Sequence, residues 1–282
     1  MNFNSPLSRA IKRAFCMLPL LITMHAVPAP AHAAPAAEAT IDVCENAASG
    51  QWRYSGVVAV TDDRAASGTA LGLDQRIQNK VVGTDYLDVY ATSGASAVSA
   101  SDDPRTKVLA YSVEAAPLVL GTLRALSRVV ITDLSGAPAQ TVSASAPVVE
   151  AICGCPVIKG CVRTQGYWGN KPGVVWPAAY SRTAMFFSSG LTWQQVLDTP
   201  PRGSAYLILA HQYIAAVLNM AAGASAPSSV QTVIDNAKVF FLGGTTPASC
   251  TPGACAPQIS WAGMLDTYNN GQYPGAPKHC PD

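Results

Sequence analysis

Cysteine is the residue that most limits what this 282-residue chain can become. Cys16 stands alone in an apolar N-terminal run, and the other seven are Cys44, Cys153, Cys155, Cys161, Cys250, Cys255 and Cys280. Ahead of those seven, Arg9, Lys12 and Arg13 precede an apolar run from Ala14 to Met24, and Ala31-His32-Ala33 follows it. Positive charge, then an apolar core, then A-x-A predicts a removable export signal over residues 1–33. The apolar run is too short to span a bilayer as a helix, which argues against an anchor. Outside the cytoplasm, in a periplasm or at the cell exterior, thiols become cross-links, so the seven cysteines read as a disulfide framework. Seven is odd, which leaves one cysteine free or available for an intermolecular bridge.

Spacing suggests the pairs. Cys161 with Cys280 would clasp the two ends of the second half of the chain. Cys250 with Cys255 would close the small loop Cys-Thr-Pro-Gly-Ala-Cys. Cys44 would pair with Cys153 or with Cys155, tying the start of the first half to its end. A thiolate zinc site at Cys153, Cys155 and Cys161 lacks the repeated C-x₂-C spacing that zinc ribbons use. No redox-fold pattern surrounds the Cys153-Gly154-Cys155 pair either.

Composition removes other classes. Hydrophobic residues make up 49% of the chain, charged residues only 12%, and Lys+Arg (18) nearly balance Asp+Glu (17). That excludes a disordered chain, a coiled coil and a basic nucleic-acid binder. No stretch after the signal reaches 18 apolar residues, so no membrane span is expected.

Two periodicities divide the remainder. Residues 34–40 are predicted as an Ala/Pro tether. Residues 41–150 show short β-rich runs broken by turn clusters. Gln51 to Thr61 is one run, with Trp52, Tyr54, Val58 and Val60 on one alternating face. Val81-Val82, Tyr86–Tyr90, Lys107–Val113 and Arg128–Thr132 are further strands. The spacing predicts an all-β sandwich of immunoglobulin-like type. Residues 151–160 read as a linker. From Cys161 to residue 282 the period becomes 3.6, which predicts a small disulfide-rich all-α domain. Thr192 and Gln195 form a capping box, and Ser204 to Met220 is apolar nearly all round, hence a central helix. Ser228 to Gln231 reads as another capping box, ahead of a stripe of Val230, Val233, Ile234, Ala237 and Phe241. Ser260 is expected to cap a last helix with Trp261, Met264, Leu265 and Tyr268 on one face. Asn269-Asn270-Gly271 would stop it.

The densest motif is Cys161-Val-Arg-Thr-Gln-Gly-Tyr-Trp-Gly-Asn-Lys-Pro172, followed by Val175-Trp176-Pro177. Further on come Ala210-His-Gln-Tyr-Ile-Ala-Ala-Val-Leu-Asn219, Leu265-Asp-Thr-Tyr-Asn-Asn-Gly271 and His279-Cys280. Together these resemble a family of secreted or surface proteins, mainly bacterial. Its marks are T-Q-G-Y-W-K-N-H-P after a cysteine, an A-H-Q-x-I-A-A-x-L-N helix, L-D-x-Y-N-N-G and a closing H-C. The resemblance covers residues 161–280, and it implies β-sandwich modules upstream. The family carries no assigned activity, so the resemblance bears on module boundaries more than on chemistry. Two positions depart from the pattern: Gly169 stands where the family has Lys, and Lys171 where it has His. A catalytic or metal-binding role for that His is therefore closed to this chain.

The candidate binding residues are Tyr167, Trp168, Asn170, Trp176, His211 and Gln212. Tyr167, Trp168, Trp176 and Trp193 either form an aromatic platform for a sugar ring or pack on the helices. His211 and Gln212, in an apolar helix, need hydrogen-bond partners. Backbone carbonyls or the loop carrying Thr164 and Gln165 would supply them. A catalytic His211 oriented by Asp198 or Asp266 has no activated nucleophile beside it, since Ser204 lacks a G-x-S-x-G setting. Asp266, Asn269 and Asn270 do not have EF-hand spacing, and Asp62-Asp63 and Asp102-Asp103 read as solvated turns. No catalytic residue, metal ligand or cofactor is assigned.

The resulting expectation is a non-catalytic secreted or cell-surface structural or interaction protein. Its partner would be an extracellular protein or a glycan, with an intermolecular disulfide through the odd cysteine as one route. The alternative is a carbohydrate- or small-ligand-binding module using the Tyr167–Trp176 loop, and the third reading is a hydrolase using His211.

Overall fold

The structure is a computed structural model and describes residues 35–62, 69–80, 87–94, 97–100, 106–115, 122–133, 140–147, 151–152 and 154–281. Its central strand is β3 (Gln51–Thr61), where apolar residues occupy alternate positions on both faces. Two earlier strands, β1 (Ala36–Ala39) and β2 (Asp42–Asn46), run antiparallel to it, pairing Ala39 with Val58 and Asp42 with Ser55. The tether expected over residues 34–40 is thus corrected: its Ala-rich stretch is a sheet strand. At the break between these strands the Val57 amide donates to Thr40 Oγ1 at 3.1 Å, so a hydroxyl replaces a main-chain acceptor. Gly56 makes the break possible, because a Cβ there would lie 2.2 Å from the Thr40 carbonyl oxygen.

β7 (Thr106–Ala115) pairs with the other edge of β3, and β6 (Ala97–Ala100) with β7. β10 (Ala151–Ile152) joins β2 in parallel, so the expected linker begins with sheet. A second antiparallel sheet has the order β5-β4-β8-β9, from β4 (Thr69–Lys80), β5 (Leu87–Gly94), β8 (Thr122–Asp133) and β9 (Gln140–Pro147). Tyr54, Val58, Val60, Leu109 and Tyr111 of the first sheet share a core with Ile77, Val129 and Ile131 of the second. The Val81-Val82 run and the acidic pair Asp102-Asp103 lie outside the described residues, as does Asp63, while Asp62 is buried.

The helical region has five helices among the described residues: α1 (Gln165–Asn170), α2 (Trp193–Asp198), α3 (Ala205–Ala221), α4 (Ser228–Leu242) and α5 (Ala256–Asn269). Thr192 forms the capping box expected for α2, and Ser204 Oγ caps α3. α3 is buried from Ala205 to Asn219, the central position its all-round apolar sequence demands. Two caps differ from expectation. Pro227, not Ser228, precedes α4, and no side chain of the segment itself caps that helix. α5 begins four residues before Ser260, because Pro257 in its first turn has the helical φ built in. Ser260 is therefore an interior residue and is buried.

α5 is also not the one-faced helix its sequence suggests. Nearly every residue from Ile259 to Asn269 is buried, because α3 covers one side and β3 and β7 cover the other. Val57, Ala59 and Val108, on the outer face of the first sheet, belong to the same core as Leu209, Ile214, Leu218 and Leu265. The change of period near Cys161 is thus a boundary of secondary structure and not of packing. Each large apolar side chain buried there contributes about 2 kcal/mol.

Three disulfides lock the arrangement: Cys44–Cys155, Cys161–Cys280 and Cys250–Cys255. Of the two partners the sequence leaves open for Cys44, the bonded one is Cys155, not Cys153. Backbone pairing explains the choice: the Cys155 amide donates to the Glu45 carbonyl at 2.8 Å and sets this segment alongside β2. Cys153 lies outside the described residues.

Candidate functional site

The Thr-Gln-Gly-Tyr-Trp motif forms the short helix α1, directly after the Cys161–Cys280 clasp. The clasp is reinforced by main chain: the Val162 amide donates to Lys278 O at 3.1 Å, and the Cys280 amide to Val162 O at 2.9 Å. Gly271 allows the C-terminal segment to approach, with φ +69° and no room for a Cβ, which would lie 2.2 Å from the His279 nitrogen. Only Gly271 of the Asn-Asn-Gly stop is left-handed, since Asn270 closes α5 at φ −88°.

Asn219, near the end of α3, holds the motif in place. Its Oδ1 accepts from the Arg163 amide at 2.8 Å and from the Trp168 indole at 3.1 Å. Its Nδ2 donates to the Arg163 carbonyl at 2.8 Å and to Asn269 Oδ1 at 3.0 Å. The amide thereby fills two acceptor and two donor positions, which is its full capacity. Asn269 Nδ2 then donates to the Gln212 carbonyl and to Gln212 Oε1, both at 3.0 Å. A buried polar chain thus runs from the motif through α3 into α5. In a low-dielectric interior such groups are costly unless all are paired.

His211 faces the other way along α3. Its Nε2 lies 2.8 Å from the Val196 carbonyl and 3.2 Å from the Thr199 carbonyl, at the C-terminal end of α2. A carbonyl can only accept, so Nε2 carries the proton and is committed to capping α2. His211 thus bonds to backbone carbonyls as expected, whereas the Gln212 side chain accepts from Asn269 Nδ2. It is Asn219, however, that grips the motif's main chain, through Arg163.

Of the two readings of the aromatic cluster, packing on the helices describes most of its tryptophans. Trp168 and Trp176 are buried, and the Trp176 indole donates to the Trp168 carbonyl at 3.0 Å. Arg182 lies 4.6 Å from the Trp176 ring centre and donates to the Trp168 and Val174 carbonyls. Trp193 packs edge-on to Phe186 at 5.1 Å, within a group that includes Tyr206, Tyr213 and Phe241. Burial pushes the Tyr206 phenol up to about 12 and the Tyr213 phenol higher still.

Of the six candidate binding residues, Tyr167 and Asn170 line an open depression, whereas Trp168, Trp176, His211 and Gln212 are buried. The depression has a volume of about 380 Å³ and is also lined by Arg163, Lys171 and His279. The Arg163 guanidinium is 4.4 Å and the Lys171 ammonium 5.2 Å from the centre of the Tyr167 ring. The departure at Gly169 has a packing consequence: a Cβ there would meet Leu197 Cβ at 3.2 Å, so glycine lets α1 approach α2. Asp266, Asn269 and Asn270 turn inward. Asn270 Nδ2 donates to the Asp266 carbonyl and to Asp266 Oδ1, both at 2.9 Å, which closes the helix.

Two groupings were not visible as sites in the sequence. Asp42 of β2 accepts from Ser228 Oγ, the Ser229 amide and Ser229 Oγ, so a carboxylate from the sheet caps α4. Ser229 Oγ and Thr40 Oγ1 both meet the Tyr273 hydroxyl at 2.7 Å. Separately, Glu38 of β1 meets the Trp261 indole of α5, and burial raises its carboxyl to about 7. An Asn in an apolar helix was the available signal for Asn219; pairs from distant segments leave none.

Among the described residues, no helix is long and apolar enough to cross a membrane. No family model matches the chain, and no curated protein matches it. Among solved structures, the CooA pilin subunit from enterotoxigenic Escherichia coli matches over 41% of this chain and 99% of that one. At 12% identity and a TM-score of 0.19, this likeness carries no argument about fold or function.

Proposed function

We propose that the chain is a non-catalytic secreted or cell-surface protein with a structural or interaction role, exported by its N-terminal signal. The observation that carries this reading is the use made of the polar motif residues. Asn219, Asn269, Gln212 and His211 bond to one another or to main chain, and His211 Nε2 is occupied by two carbonyls. Three disulfides support an oxidising destination. The immunoglobulin-like character of the β region is part of the proposal; two antiparallel sheets around a shared core support it. So is membership of the family whose motifs residues 161–280 resemble.

The test joins fractionation with substitution. The full chain, expressed in a bacterial host, is expected outside the cytoplasm, cleaved after Ala33 and oxidised. His211→Ala should lower the melting temperature. Turnover on an esterase, peptidase or glycosidase panel that vanishes in a folded His211→Ala protein would overturn the reading.

A second reading is favoured by one observation: the Tyr167 ring, exposed enough to line the depression, is flanked by two cations. It keeps the glycan-binding alternative at Tyr167 and Asn170 but removes Trp168 and Trp176 from the contact surface. Acidic sugars should then quench tryptophan fluorescence through Trp168, whose ring lies 5.2 Å from that of Tyr167. A flat response across acidic and neutral glycans would remove it.

A further inference from the structure

A cavity of about 280 Å³ lies where β1, α4 and α5 meet, lined on its polar side by Glu38, Ser229, Thr232, Asn236 and Trp261. Val233, Met264 and Ala146 supply apolar wall. Among the described residues, Glu38 is the one ionisable side chain in this lining, and none there is basic. Its recorded partner is the Trp261 indole, a neutral donor. The carboxylates on the elements around it have partners of their own: Asp266 of α5 accepts from Asn270 Nδ2 at 2.9 Å. Asp42 is held by Ser228 and Ser229, and Asp235 accepts from Gln231 Nε2 at 3.0 Å. A carboxyl, neutral polar groups and an aromatic edge around an apolar-walled hole complement a cation on a short apolar stem.

We propose that this cavity binds a primary alkylammonium group, carried either by a free amine or by a lysine side chain. The volume is just below the usual range of small-molecule pockets, so the guest is short. The ammonium pairs with the Glu38 carboxylate and hydrogen-bonds the Thr232 and Asn236 side chains, and the alkyl stem lies on Met264 and Val233. The environment of Glu38 supports this: burial without a cation holds its carboxyl at about 7, and a bound cation supplies the missing charge. Proton and guest compete for one carboxylate, while the amine stays protonated throughout. Affinity therefore falls about tenfold for each pH unit below 7. The inference does not rest on the structural role proposed above, and neither falls with the other.

The test follows the Trp261 indole N–H by NMR in the full oxidised chain, with the resonance identified by its loss in Trp261→Phe. At pH 8, n-butylammonium chloride should shift that resonance saturably, against sodium chloride at equal ionic strength. n-Butanol, the uncharged analogue, should not. Glu38→Gln should weaken the effect at least tenfold. Nα-acetyl-lysine amide separates the sources: a matching shift assigns lysine side chains as guests, and its absence restricts the site to free amines. No saturable shift, or an equal response to n-butanol in the unmutated chain, would overturn the proposal whether or not Glu38→Gln folds.

Discussion

The Asp42 carboxylate of β2 accepts the main-chain amide of Ser229 at 2.9 Å, joining the N-terminal sheet to the first turn of α4. Helix α4 brings no capping side chain of its own. The sheet supplies one, with the sign the helix N-terminus favours. Asp42→Ala should cost about 1–2 kcal/mol in denaturant unfolding, the range of a lost N-cap. Amides of the first turn of α4 should also exchange faster with solvent. An unchanged midpoint and unchanged exchange would show the contact to be idle.

Asn219→Ala should be more damaging. It removes the bonds to the Arg163 amide and carbonyl, the Trp168 indole and Asn269 Oδ1 in one step. A loss of about 3 kcal/mol is expected from the loss of these hydrogen bonds. Near-ultraviolet circular dichroism should report disorder at Trp168 before global unfolding.

The disulfides make a mapping prediction. A non-reducing peptide map should return Cys44–Cys155, Cys161–Cys280 and Cys250–Cys255. Thiol labelling of the processed, denatured protein should then find Cys153. Replacing Cys161 and Cys280 together by Ser should cost about 2–5 kcal/mol. A melting temperature indifferent to reductant would contradict the architecture described here.

Stability should depend on pH through Glu38. Burial raises its folded-state carboxyl to about 7 from an ordinary 4.5, so the folded protein binds the proton more tightly than the unfolded chain does. The associated stability is complete below 4.5 and is lost as the pH climbs through 7. Without added amine, the melting temperature should therefore fall between pH 5 and pH 8, and Glu38→Gln should flatten that part of the profile. A wild-type slope equal to that of Glu38→Gln would refute the assignment.

Gly271→Ala should destabilise by about 1 kcal/mol or more, since a Cβ collides with the His279 backbone and φ is +69°. Thermal melts of the oxidised protein would measure it.

Local rules were legible where the cause is local. The alternation of Tyr54, Val58 and Val60 placed one face of β3, and Thr192 with Gln195 placed the start of α2. The stripe from Val230 to Phe241 named the buried side of α4. What was hidden depends on distant segments. Ala36–Ala39 looks like a tether until β3 offers it a ladder. Ser228 looks like a cap until Asp42 arrives from the sheet and does the work. The tryptophans near Cys161 left packing and a surface platform both open, and the motif reaches the surface only at Tyr167 and Asn170 among the candidate residues. Trp168 and Trp176 are interior because Asn219 and Arg182 draw that segment onto the helices.

Strand β3 has consequences for how the protein is made. Its Val57 and Ala59 side is sealed by α5, a segment that leaves the ribosome or an export channel long after β3 does. Until residues 256–269 arrive, an early-made sheet displays an oily flank to whatever surrounds it. Truncation anywhere before Ala256 should therefore yield aggregates in place of a stable N-terminal fragment, and maturation in the cell calls for a chaperone or for rapid, uninterrupted release.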